Sequence, residues 1–339
     1  MEKNNQRLEV IEFIKGYSIL TIVLYHLLQY LKMPGLLAKS INFGGTGIHT
    51  FLMVSGFGLY LSHLNKPLDF IDFMKKRFVK IYVPYFVTVT IVAAFSLLVL
   101  PVYDNSLYAY CGHIFLYKMF DESIIGSYGY QLWFISTIIQ LYLVFLLLVK
   151  LKEKMSDWLF LLSGVIISVS WSLFLFFIGK DQLRVWDSFF LQFLWEFMLG
   201  MLFGSIYYST RKGFWQIPKS YLYLLAVVSL GFYAFLALKL NSFGQIIDDI
   251  PALTGYLSLC LIIYSWDIKL LNRFIFFTAS VSFPLYLCHM FVRDISIYLC
   301  KELGISYNII LLLLVLVICY MISFYLEKFI KRIYIWLKY

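Results

Sequence analysis

Apolar residues along this chain come in blocks, separated by short polar stretches that carry the charges and most of the prolines, glycines and asparagines. Each block runs to about 20 residues, the length an α-helix needs to cross the hydrocarbon core of a bilayer at roughly 1.5 Å per residue. The blocks fall near residues 8–31, 43–62, 81–101, 131–149, 157–178, 188–208, 220–239, 250–266, 275–299 and 306–327. This pattern predicts an all-α integral membrane protein, a bundle of about ten transmembrane helices. Residues 1–339 read as a single membrane domain, because the sequence shows no repeat and no low-complexity tract. The longest stretch between blocks, 102–130, is too short for a soluble domain.

Composition agrees with the pattern. Only 14% of residues are charged, against about 25% in soluble domains, too few to cover a soluble surface. The 33 Phe, 27 Tyr and 8 Trp suit aromatic belts at two membrane interfaces. The first block holds polar residues and lacks a small-residue cleavage site, so it reads as a retained helix rather than a signal peptide. Five scattered cysteines, Cys111, Cys260, Cys288, Cys300 and Cys319, form no CxxC pair and no metal-ligand spacing. Neither a disulfide framework nor a metal centre is expected.

The net charge of +9 raises the question of nucleic acid. Its distribution answers it with anionic lipid instead. With the N-terminus inside, 19 basic residues, among them Lys3, Arg7 and Lys338, fall on the inner side and 7, among them Lys39, on the outer. Basic residues concentrate on cytoplasmic loops, so both termini are expected in the cytoplasm, which requires an even number of spans.

Ionisable groups inside the spans carry the candidate chemistry, since each costs about 3 kcal/mol or more at mid-bilayer. The first span holds Glu12, Lys15 and His26. Eleven helical steps separate Lys15 from His26, which returns the chain to nearly the same face. Glu12 sits one turn before Lys15, within pairing distance. Taken alone, the stripe suits a structural ion pair with a satisfied core histidine as well as it suits a functional site. The second span carries the small-residue run Gly44 to Phe57, with His49 and Ser55 inside it. Lys76, Arg77 and Lys80 stand before the third span, either as an ordinary basic flank or as a clamp for phosphates. His289 lies deep in the ninth, with Arg293 one turn later on the same face and nearer the outer side, either a functional group or a snorkelling pair with Asp294; Glu196 is a further carboxylate in the sixth, functional or structural.

Together these segments resemble the acyltransferase-3 family of bacterial membrane O-acyltransferases. The family's first helix reads like LDGLRGIAALLVVLYH, and Ile11 through His26 is similar to it, with Lys15 at the arginine position. Gly47 to Phe57 resembles GVDLFFVLSGF. Arg77-Phe78-Val79-Lys80 resembles the Arg-x-x-Arg motif that precedes the third helix. Leu132 to Ser136 resembles LWFLS, and Ser282 to Met290 resembles SYSIYLLHM. The five matches keep the family order and reach from end to end. The chain departs from the pattern in Lys15 and Lys80, which keep the charge but lose the bidentate fork. It also departs in Ile138 and Ile139, where many members have glutamates, and in His49, which replaces a common acidic residue. The match is to short, standalone members without an SGNH-type esterase domain.

The resemblance implies a multi-pass protein of the bacterial cytoplasmic membrane that moves an acyl group, acetyl first, from cytoplasmic acyl-CoA to a hydroxyl of an extracytoplasmic polysaccharide. No bound cofactor, metal or nucleic acid is implied; acyl-CoA enters as donor substrate, and an oligomer is compatible. His26 takes the role of general base or transient acyl carrier, since a sugar hydroxyl needs a base poised near neutral pH. Lys15, oriented by Glu12, supports it. Arg77, Lys80 and Lys76 would hold the CoA phosphates. Ser55, His49, Trp133, Tyr286, His289 and Arg293 stand as candidates for oxyanion or acceptor contacts. A polysaccharide exporter or small-molecule transporter is the competing class, disfavoured by the lack of paired half-helix breaks and of two similar halves.

Overall fold

A computed structural model describes residues 2–103 and 105–336, with the side chains of 2–8, 36, 39, 42, 241 and 242 excepted. Lys338 and the side chains of Lys3, Arg7 and Lys39, counted in the charge asymmetry, lie outside the described residues. The described chain is helical, with no strand. Its helices are α1 (Glu2–Leu28), α2 (Gly35–Ile41), α3 (Gly47–Asn65), α4 (Phe70–Leu98), α5 (Leu107–Ile114), α6 (Trp133–Lys154), α7 (Asp157–Phe177), α8 (Arg184–Asp187), α9 (Leu194–Thr210), α10 (Lys219–Phe235), α11 (Asn241–Gly244), α12 (Asp249–Ser265), α13 (Lys269–Ser280), α14 (Ser282–Glu302) and α15 (Ile309–Trp336).

Six described helices are long and apolar enough to cross a membrane: Glu9–Leu28, Phe70–Leu98, Tyr130–Lys154, Asp157–Phe177, Lys219–Leu240 and Ile309–Trp336. The pair α13 and α14 makes a seventh if counted as one span, although the two are bent by 83°. This break falls inside the block read from sequence as one ninth span. Its cause is local. Pro84 and Pro284 each lack an N–H, but Pro284 is three residues into α14, a first-turn position where no helical bond is lost. A helix therefore begins just before it instead of running through. The blocks at 43–62, 188–208 and 250–266 correspond to α3, α9 and α12. α3 carries His49, Thr50, Ser55 and His63 among its apolar residues, and α9 and α12 have 17 residues each.

Pro84 lies in the middle of α4, where it leaves the carbonyl of Lys80 without its helical donor. The Tyr334 hydroxyl of α15 donates to that carbonyl at 3.1 Å. The kink-prone position is thus satisfied from a neighbouring helix.

Close helix approach is carried by glycines. A Cβ on Gly200 of α9 would collide with the Met53 carbonyl of α3, and one on Gly56 of α3 with the Phe197 carbonyl of α9. α3 and α9 consequently pack backbone against backbone. Gly16 plays the same part between α1 and α13, against Ile275.

The stretch 105–132 does not stand clear of the bundle as a loop. Asn105 donates to the Ala93 carbonyl at 2.7 Å, Thr90 and Tyr110 share a hydrogen bond at 3.0 Å, and the Tyr82 hydroxyl donates to the Ile114 carbonyl at 2.6 Å. These contacts step down α4 as they step along α5, so the two helices run antiparallel. The segment then turns back with Lys118 fully buried, donating to the Leu132 carbonyl at 2.8 Å. Gly129, at φ 122° in a region side chains disfavour, lets the chain swing into α6. The excursion sets Gln131 and Trp133 against α14 and the cavity described next.

Candidate active site

A cavity of about 690 Å³ opens at the end of the bundle where α1 finishes. Its wall includes His26 and Tyr25 from α1, Thr46 and His49 from the start of α3, Gln131 and Trp133 at the start of α6, Tyr233 from α10 and Tyr286 from α14. Arg184, Gln182, Gln245 and Asp248 add polar side chains to its lining. Aromatic rings with a few convergent polar groups are the usual lining of a ligand site.

His26 is half-buried in that wall. Its Nδ1 lies 2.9 Å from Nε2 of His289, and the two rings stack with centroids 5.1 Å apart. His289 is fully buried behind it. Nδ1 of His289 donates to the carbonyls of Leu285 at 3.0 Å and Tyr286 at 2.8 Å, both in its own helix. Arg293, one turn on, reaches the His26 carbonyl at 3.4 Å and pairs with Asp294 at 2.6 Å. Its guanidinium also covers the Tyr30 ring at 5.0 Å, and Tyr103 donates to Asp294 at 2.6 Å. Arg293 thus ties α1 to α14 and does not line the cavity. Tyr286 spends its hydroxyl proton on the Gln131 carbonyl at 2.6 Å.

His49 anchors a second polar group in the wall. Its Nδ1 is 2.6 Å from Glu196 of α9, and its Nε2 is 3.6 Å from Asp249 of α12. Both ring nitrogens face carboxylates, the arrangement of a doubly protonated imidazole. Gln192 donates to the other oxygen of Asp249 at 2.9 Å. Oε2 of Glu196 is buried with no hydrogen-bond partner. Among the described residues this is the one trio with ligand atoms close enough for a metal ion, all within 4.8 Å of one another. No sequence spacing announces it, because its members come from three helices far apart in the chain. In the cavity lining, burial and the neighbouring Asp249 carboxylate push the Asp248 carboxyl above its usual range.

Arg184 also lines the cavity. It donates to the Tyr130 hydroxyl at 2.6 Å, pairs with Asp187 at 2.7 Å, and lies 5.1 Å from the centre of the Trp133 ring. The sequence reading passed over Arg184, Tyr130, Asp248 and Asp249, which sit in connections or at helix starts where a charge or a tyrosine is ordinary.

The remaining sequence candidates gather nearer the other end. Lys15 pairs with Glu12 at 2.6 Å. Lys80 lies within the electrostatic reach of Arg77, Lys15, Glu12 and Lys76. Arg77 stacks over Phe73 at 5.7 Å, and its Nε is buried with no hydrogen-bond partner. None of these residues lines the cavity. The structure therefore divides the candidates into a histidine group at one end and a basic group at the other.

The family of acyltransferase domains matches residues 8–325, nearly the entire chain. The chain belongs to the acyltransferase-3 family. It is a membrane acyltransferase by that membership, with several apolar helices to carry it in a bilayer. No curated relative and no solved structure matches it.

Proposed function

We propose that this acyltransferase moves an acyl group, acetyl first, from cytoplasmic acyl-CoA to a hydroxyl of an extracytoplasmic polysaccharide in the bacterial cell membrane. The observation that carries the reading is the separation of the two groups: His26 in the wall of an open cavity, the basic residues nearer the opposite end. A charged nucleotide cannot enter lipid, whereas a thioester on a flexible arm can reach inward. About ten crossings with both termini in the cytoplasm would put Arg77 on the donor side and the cavity on the acceptor side.

Arg77, Lys80 and Lys76 hold the CoA phosphates, with Lys15 kept in place by Glu12. An uncommitted buried guanidinium nitrogen on Arg77 supports this, because such a donor is costly without an acceptor. Thr50 follows His49 directly in α3, and Ser136 is three residues after Trp133 in α6. Both are buried hydroxyls without partners, suited to a polar passage for the pantetheine arm. At the cavity His26 takes the proton of the acceptor hydroxyl as its oxygen attacks the thioester carbonyl. The C–S bond then breaks, and the CoA thiolate takes up the proton. Trp133 and Arg184 offer a stacking and hydrogen-bonding surface to a sugar.

Purified protein in liposomes, given radiolabelled acetyl-CoA and surface polysaccharide, should release free CoA and label the polysaccharide. Polysaccharide efflux with the thioester intact would instead mark an exporter.

A further inference from the structure

We infer that His289 is the positioning residue that fixes the tautomer of His26 and so makes Nε2 of His26 the basic nitrogen. The inference rests on the reading of His26 as the base and specifies which of its two nitrogens acts.

The argument runs along a chain of donors. The carbonyls of Leu285 and Tyr286 can only accept, so Nδ1 of His289 must carry a hydrogen. A neutral imidazole has one N–H, which leaves Nε2 of His289 as an acceptor. His289 is fully buried, and among the described residues no carboxylate pairs with either ring. An isolated buried imidazolium beside Arg293 would be expensive, so the neutral form is the one the site favours. The contact at 2.9 Å then requires Nδ1 of His26 to be the donor. Its remaining nitrogen, Nε2, keeps its lone pair on the opposite edge of a ring that lines the cavity. Two backbone carbonyls of α14 thereby select, through one intermediate ring, the nitrogen that meets the substrate.

The hydrogen bond also supports the step itself. When Nε2 accepts the hydroxyl proton, His26 becomes an imidazolium whose Nδ1–H already points at a neutral acceptor. No side chain needs to turn at that moment, which is the benefit of a preorganised site. Arg293 belongs to the same arrangement, since its bond to the His26 carbonyl holds the end of α1 against α14.

Two experiments test this. The first uses the unaltered protein, labelled with ¹⁵N-histidine, in lipid. The His26 resonances, assigned by their loss in His26→Ala, should show hydrogen on Nδ1; hydrogen on Nε2 overturns the inference whatever the activity. The second compares His289→Leu with His289→Gln, whose side-chain oxygen can replace the acceptor. With acetyl-CoA and extracted surface polysaccharide, the leucine variant should lose about 100-fold in kcat while KM for acetyl-CoA stays within about threefold, as expected for a lost base orientation. The glutamine variant should recover to within about tenfold of the unaltered rate. A leucine variant at full rate, or a glutamine variant no better than leucine, would refute the positioning role. Full transfer by His26→Ala would remove the base itself, a separate failure.

Discussion

His49 of α3 and Glu196 of α9 meet at 2.6 Å in a pair whose carboxylate is wholly buried. Their helices approach closely enough for this only because Gly56 and Gly200 let backbone lie against backbone. Breaking one side of a buried ionic pair leaves the other uncompensated, which costs about 3–5 kcal/mol. Glu196→Leu should therefore lower the unfolding temperature in detergent markedly, and His49→Leu/Glu196→Leu together should lose less than the sum of the singles. An additive pair of losses would show the two side chains to be energetically independent.

The glycine seam can be tested apart from the charges. Gly200→Leu has no room against Met53 and Phe57, and overpacking a close helix crossing costs about 1–3 kcal/mol. We expect reduced yield of folded protein for this variant and near-normal yield for Gly58→Leu, whose Cβ faces open space. Size-exclusion profiles of the two side by side decide the matter.

For the reaction, His26→Ala should abolish acyl transfer while membrane insertion and elution profile stay unchanged. Normal labelling of polysaccharide by that variant would end the assignment of His26 as the base.

Arg77→Ala addresses the donor end. A charge-assisted hydrogen bond is worth about 1.5–3 kcal/mol, so KM for acetyl-CoA should rise about 10- to 100-fold with little change in KM for the acceptor. Equal rises in both would dismiss a phosphate clamp. Arg77→Lys should recover only part of the loss, since lysine presents a point charge without the planar fork.

The cavity lining offers a contrasting case. Trp133→Ala removes a ring that Arg184 covers, and should raise KM for the polysaccharide while leaving KM for acetyl-CoA unaltered. The reverse pattern would place the donor, and not the acceptor, in this cavity.

Helical class, the membrane-spanning character and family were legible before any fold was known, for a local reason. A run of about 20 apolar residues has few fates besides a spanning helix, and the motifs around His26, Ser55, Arg77, Trp133 and His289 are each contiguous in the chain. The i, i+3 geometry of a helix likewise sufficed to pair Glu12 with Lys15. Hydropathy alone did not disclose the bend of 83° between α13 and α14 or the return of residues 105–132 along α4. The bend falls where a helix restarts just before Pro284, which a hydropathy count does not register, and the return is settled by contacts with α4 that leave the composition of the segment unchanged.

The histidines mark the boundary most sharply. Sequence periodicity put His26 on an inward stripe and His289 deep in a late helix, as separate features. Only the tertiary structure laid one ring on the other at 2.9 Å, and only it gathered His49, Glu196 and Asp249 from three helices into one trio. The hydrophobic pattern of a helix specifies which face turns inward. Which face of which other helix it meets depends on packing between residues hundreds of positions apart, and that pairing is what sets the chemistry of a buried ionisable group.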